Sequence, residues 1–174
     1  MKTLNLSKNE EKIINFLADN SGEDFFSLEI AKKNRISVGG AYYALKNLER
    51  KGFISLKEEG RMKFYQIDTK SQLVKQYRIM VLLYSLRGFI KKIKKNCVDL
   101  ILFGSGSRGE YDKESDVDLL VITRDKEGIT EILENYKTDE KYNIKLIIKN
   151  PTTWHELEGN DKEFYQEVLK GIKL

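Results

Sequence analysis

The stretch ILFGSGSRGEYDKESDVDLLVI, residues 101–122, constrains the fold more than any other part of the chain. An apolar run stops at a glycine and a serine, a polar stretch follows, and Asp116 and Asp118 open a second apolar run. Short apolar runs bounded by Gly and Ser read as buried strands. The surrounding sequence keeps the same rhythm: VDLILF, VDLLVI and YNIKLIIK read as strands, and GITEILENYK, TTWHELEG and DKEFYQEVLKGI as helices. In GITEILENYK, Ile129, Ile132, Leu133 and Tyr136 recur at helical spacing. Strands alternating with helices predict an α/β (α+β) sheet covered by helices.

The two halves of the central stretch suit one ligand. Glycine lets backbone approach a ligand closely, and a serine at the first turn of a helix offers a hydroxyl and free N–H groups to an anion. Gly104, Ser105 and the amides after them can thus cradle a phosphate. Asp116 and Asp118, two residues apart on a strand, project to the same face. Paired carboxylates suit Mg²⁺ or Mn²⁺, which bind through a few carboxylates and complete their shell with substrate phosphates. A metal-bound nucleoside triphosphate satisfies both halves.

GSGSRGEYDKESDVDLLV also resembles the signature of minimal nucleotidyltransferases of the DNA polymerase beta-like superfamily. The matching residues are Gly104, Ser105, Arg108, Gly109, Ser115, Asp116, Asp118 and Leu119. The resemblance spans about residues 98–150. It implies that Gly104, Ser105 and Arg108 bind triphosphate and that Asp116 and Asp118 are catalytic and hold a divalent metal. It also implies transfer of a nucleoside monophosphate, with ATP the foremost donor, to a hydroxyl of RNA, protein or a small molecule. Relatives of this type often act in toxin–antitoxin pairs, so a toxin protein or a tRNA is an expected acceptor. Arg108 is expected to pair with phosphate or with neighbouring carboxylates.

The family's usual third carboxylate should lie on the strand YNIKLIIK. Its candidate faces are Asn143, Lys145 and Ile147, or Tyr142, Ile144 and Leu146, and neither holds an acid. Asp139 and Glu140 lie just before the strand, and Glu110 and Asp112 are the other candidates to substitute. If Lys145 takes the third position, a cation faces the two aspartates and competes with metal. Whether the chain is an enzyme stays open at this point. The alternative is a DNA-binding transcriptional regulator whose nucleotidyltransferase-like part senses nucleotide or is catalytically degenerate.

The first third of the chain has a different pattern. Ser7 and Glu10 have capping-box spacing ahead of Ile13, Ile14 and Leu17. SLEIAKKN reads as a short helix capped by Ser27. A third helix runs from Ser37 to a stop at Gly52, with Val38, Ala41, Leu45 and Leu48 on one face. FISLKEEGRMKFYQID alternates and turns near Glu59–Gly60, as a hairpin does. Three helices and a hairpin resemble a winged helix-turn-helix over about residues 5–69. The resemblance implies duplex DNA as a partner, with the third helix in the major groove. Tyr43, Lys46, Asn47 and Arg50 would face the bases and phosphates, and Arg61 and Lys63 the backbone at the wing.

Charge separates these parts. Residues 1–69 carry a net +2, residues 70–97 a net +8 with no acidic group, and residues 98–174 a net −6. The basic middle, KSQLVKQYRIMVLLYSLRGFIKKIKKN, reads as one long helix. IMVLLY is apolar on every side, so it is expected to be buried all round or covered by a second copy in a homodimer. The expected organisation is a winged helix at 1–69, a connecting helix at 70–97 and a nucleotidyltransferase-like mixed sheet with flanking helices at 98–174. The longest wholly apolar run, Ile79 to Tyr84, is too short to cross a bilayer. One cysteine, Cys97, excludes an internal disulfide framework and suits the cytoplasm. His155, the single histidine, lacks partners for a zinc site and is expected to be structural. Cys97 and Trp154 are expected in the core.

Overall fold

The computed structural model describes residues 4–136 and 142–174, in two compact units that divide after Lys75. Asp139 and Glu140 lie outside the described residues.

In the first unit, α1 (Lys8–Asp19) opens on the expected capping box. Glu10 N–H donates to Ser7 Oγ at 3.3 Å and Ser7 N–H donates to Glu10 Oε2 at 2.6 Å. Glu10 is only 3% exposed, and its other oxygen accepts from Lys51 Nζ at 2.7 Å. After β1 (Phe25–Phe26) comes α2 (Ser27–Asn34). Ser27 is its first helical residue rather than its cap; Phe26 occupies the cap, and its N–H donates to Glu29 Oε2 at 2.9 Å. A glutamate reaching back satisfies an orphan donor as well as a serine can.

Ser37 caps α3 (Val38–Lys51), which stops at Gly52 in the left-handed region. Ala41, Ala44, Leu45 and Leu48 are buried beneath it. Val38, the first residue of the helix, is 55% exposed instead. β2 (Ile54–Glu59) and β3 (Met62–Ile67) form the hairpin, turning at Gly60–Arg61, and β1 pairs with β3 to give the order β1-β3-β2. Three helices and a two-stranded wing make this unit a winged helix-turn-helix.

α4 (Gln72–Ile93) runs from the end of the first unit into the second. Its apolar run is not buried all round. Ile79 and Leu82 are buried, whereas Met80 is 58% and Tyr84 67% exposed. The guanidinium of Arg87 lies 4.0 Å above the Tyr84 ring, covering part of it.

The second unit continues with β4 (Asp99–Leu102), α5 (Gly104–Arg108), β5 (Asp116–Ile122), α6 (Lys126–Glu134), β6 (Asn143–Lys149), α7 (Pro151–Asn160), α8 (Lys162–Leu169) and β7 (Ile172–Lys173). The sheet order is β6-β5-β4-β7; β5 and β6 are parallel and the other pairs antiparallel. β7 breaks the helical reading of the last residues. Gly171 permits it, since a Cβ there would meet the Leu102 carbonyl oxygen at 2.5 Å.

Alternation along β5 separates two cores. Val117, Leu119 and Val121 pack with Leu82, Leu86, Phe89 and Ile93 of α4 and Ile129 of α6. Leu120 and Ile122 pack with Phe103, Trp154 of α7 and Val168 of α8. Asp116 and Asp118 share the second face, at the end of β5 that its apolar residues leave uncovered.

Candidate functional site

The site lies where β4 ends and β5 begins. After Phe103 the backbone enters the left-handed region at Gly104, φ +66°. A Cβ there would stand 2.7 Å from Asp118 Oδ2. The left-handed conformation favours glycine, and any Cβ would press on the Asp118 carboxylate unless that side chain turned away. Phe103 N–H donates to the Asp118 carbonyl at 3.1 Å, which fixes the turn against β5. Ser107 Oγ donates to the Gly104 carbonyl at 2.8 Å. Gly104 and Ser105 therefore open α5 directly beside the Asp118 carboxylate, as their sequence spacing anticipates.

Asp116 and Asp118 are both half-buried. Burial raises the Asp118 carboxyl above its ordinary value; the Lys145 charge opposes that shift and the Asp116 charge adds to it. The register with β6 sets Asn143 opposite Asp116 and Lys145 opposite Asp118. Asn143 Nδ2 donates to Asp116 Oδ1 at 2.6 Å. Of the two candidate faces of this strand, Asn143, Lys145 and Ile147 is therefore the one shared with the aspartates. No carboxylate is added there. Among the described residues no group of three or more His, Cys, Asp or Glu side chains could hold a metal. The two aspartates still fit a divalent ion that completes its oxygen shell with phosphate and water: they are hard oxygen donors on one face beside a backbone turn open to a ligand.

The two substitute carboxylates are committed elsewhere. Asp112 Oδ1 accepts from the Glu114 N–H and from Ser115 Oγ, each at 2.9 Å, shaping the loop into β5. Glu110 Oε2 accepts from Arg108 Nε at 3.0 Å. Arg108 Nη1 also donates to Glu167 Oε1 of α8 at 2.5 Å. Of its two expected partner classes, Arg108 thus holds carboxylates in this structure, and these compete with a phosphate for its charge. Glu167 carried no sequence signal, since only the return of α8 over α5 brings it near.

On the first unit, Lys46 and Arg50 are exposed, Tyr43 is 70% exposed and Asn47 is half-buried. Arg50 Nη2 donates to Asn47 Oδ1 at 3.2 Å, so these two side chains present one surface. At the wing, Arg61 stands exposed at the turn, while Lys63 is paired with Glu58 at 3.0 Å.

His155 is exposed on α7. Trp154 is buried and tilted against Tyr165, as a packing residue is. Cys97 is half-buried against the α4 core, and burial pushes its thiol up. Among the described residues no helix is long and apolar enough to cross a membrane.

Residues 83–168 match the family model of the nucleotidyltransferase domain. MJ0141 of Methanocaldococcus jannaschii, assigned by its name as a protein adenylyltransferase, is 40% identical over 60 residues. The match covers 34% of this chain and 61% of that protein, so the chain spans less than two thirds of the relative's length. Among solved structures, Lactococcus lactis ZitR in complex with DNA is 21% identical, covering 54% of this chain and 64% of that one with a TM-score of 0.38. The Staphylococcus aureus transcription regulator MepR is 16% identical, covering 52% and 62% with a TM-score of 0.37. The winged helix is assigned from its own elements, α1 to β3. The second unit carries a nucleotidyltransferase domain.

Proposed function

We propose that this nucleotidyltransferase domain transfers a nucleoside monophosphate from a triphosphate to a hydroxyl, and that α3 of the winged helix binds duplex DNA. The observation that carries the first part is the left-handed Gly104 against Asp118. It puts a bare backbone turn and a carboxylate pair within reach of one small ligand. Gly104 and Ser105 N–H groups and the Ser105 hydroxyl bind and orient phosphate oxygens. Asp116 and Asp118 would hold Mg²⁺, which when bound neutralises charge on the phosphates. The acceptor oxygen bonds to the α-phosphorus, the bond from that phosphorus to the α,β-bridging oxygen breaks, and pyrophosphate departs. With no third carboxylate among the described residues of β6, the hydroxyl proton passes to solvent water.

The Methanocaldococcus jannaschii relative favours ATP as donor and a protein hydroxyl as acceptor; a toxin protein fits that chemistry, as does a tRNA. Met80 and Tyr84 offer a second copy an apolar contact. The test is incubation with α-phosphate-labelled ATP and Mg²⁺. Label transferred to protein or RNA by the wild type, and not by Asp116→Asn with Asp118→Asn, is the expected result. Equal labelling by both proteins contradicts the assignment.

A second reading is favoured by Asn143 and Lys145 opposite the aspartates. In it the domain binds nucleotide without turnover and the chain regulates transcription. Nucleotide binding with no transfer to any acceptor, together with nucleotide-dependent DNA affinity, would select it.

A further inference from the structure

In a parallel pair, side chains at register positions point to the same face of the sheet. β6 therefore sets Asn143 and Lys145 beside Asp116 and Asp118. Asn143 is engaged with Asp116 Oδ1. Lys145 is exposed, and its charge acts on Asp118. Its ammonium carries three donors on a flexible stem. At the Asp116 end the face thus holds two carboxylates and the Lys145 cation, while Lys149 lies at the far end opposite Ile122. A first divalent ion meets two anionic ligands there. A second would have to share those same ligands beside an ammonium, and like charges a few ångströms apart repel strongly at a partly buried site.

We propose that the site takes one divalent cation per nucleotide and that the Lys145 ammonium fills the remaining cationic position, donating to a non-bridging phosphate oxygen. This rests on the triphosphate site assigned above. The carboxylate pair holds the metal end of the phosphate chain, and Lys145 approaches from the neighbouring strand. Such a site binds metal weakly until nucleotide arrives, because two carboxylates and an ammonium leave little net negative charge.

The test counts Mn²⁺ bound to the full chain by electron paramagnetic resonance. The probe nucleotide is an ATP analogue with a methylene bridge between its α- and β-phosphates, and the proteins are wild type, Lys145→Asp and Lys145→Ala. Lys145 is exposed, so both variants should fold, and circular dichroism checks that they do. Wild type is expected to bind one Mn²⁺ per nucleotide and Lys145→Asp two. Lys145→Ala is expected to keep one and lose roughly tenfold in nucleotide affinity, the scale of one charge-assisted hydrogen bond. Two Mn²⁺ in the wild type, or no more than one in Lys145→Asp, overturns the inference. An unchanged nucleotide affinity in Lys145→Ala also overturns it. Binding only by Lys145→Asp also overturns it, because Lys145 would then exclude the nucleotide rather than hold it. No binding by any of the three removes both.

Discussion

Lys145 stands opposite Asp118 in the parallel register of β5 and β6, and on the other side of β5 the Gly104 turn comes so close that a Cβ there would stand 2.7 Å from the same carboxylate. A single aspartate thus has a backbone turn close on one side and a lysine on the neighbouring strand on the other. Asp118 is therefore the carboxylate on which the proposed phosphate and metal roles converge.

Gly104→Ala tests the turn. The added methyl group would meet Asp118 Oδ2 at 2.7 Å and hold a non-glycine residue at φ +66°. A left-handed non-glycine residue costs about 1–3 kcal/mol. Urea unfolding of the variant should show a loss of that order, and nucleotide titration should show affinity reduced at least tenfold. Full stability and affinity in the variant would mean that the turn tolerates a side chain and is not a phosphate cradle.

Glu167→Gln tests what holds Arg108. Arg108 is held by Glu110 and by Glu167, in pairs that are partly exposed and therefore individually weak. Releasing one partner should raise nucleotide affinity a few-fold, and Arg108→Ala should lower it. Reduced affinity in Glu167→Gln would show instead that Glu167 positions the arginine for phosphate.

On the winged helix, Lys46→Ala with Arg50→Ala should weaken duplex DNA binding. If each cation neutralises one phosphate, the slope of log K against log salt should flatten by about 2. A measurement at several salt concentrations reads it directly. Binding that is absent in the wild type, or insensitive to salt, would make α3 a packing face.

Glu10 gives the first unit a pH dependence. Burial pushes its carboxyl up, but the Lys51 hydrogen bond and the Ser7 contacts outweigh it, and the net shift is downward from 4.5. A depressed folded-state value means that this stability is fully present above the unfolded value and is lost as pH falls through the folded one. Acid unfolding should therefore be less steep below pH 4.5 in Glu10→Gln than in wild type. At neutral pH the variant should lose roughly 2 kcal/mol or more, because Lys51 is left without its buried partner. Identical pH profiles would show that the pair contributes nothing to folding.

Much of this architecture was legible in local pattern. The capping box at Ser7, the stop at Gly52, the turn at Gly60 and the apolar runs of β4 and β5 are set by residues close in sequence. That Gly104, Ser105 and the two aspartates serve one ligand was legible in the same stretch, but the close approach of Gly104 to Asp118 appears only once β4 and β5 pair. What the sequence could not show depends on long-range return of the chain. Glu167 meets Arg108 only through α8, and β7 forms only because Gly171 fits against Leu102. The exposed side of α4 at Met80 and Tyr84 was hidden by an apolar run that looks the same from every direction. Which face of β6 joins the aspartates was an open choice until pairing fixed the register.

The most direct test of the central claim is calorimetric titration of ATP with Mg²⁺ into the wild type and into the Asp116→Asn, Asp118→Asn double variant. GTP, CTP and UTP follow. The account predicts metal-dependent binding of a triphosphate to the wild type and its loss in the double variant. Unchanged binding in the double variant, or no binding of any triphosphate to the wild type, would contradict it.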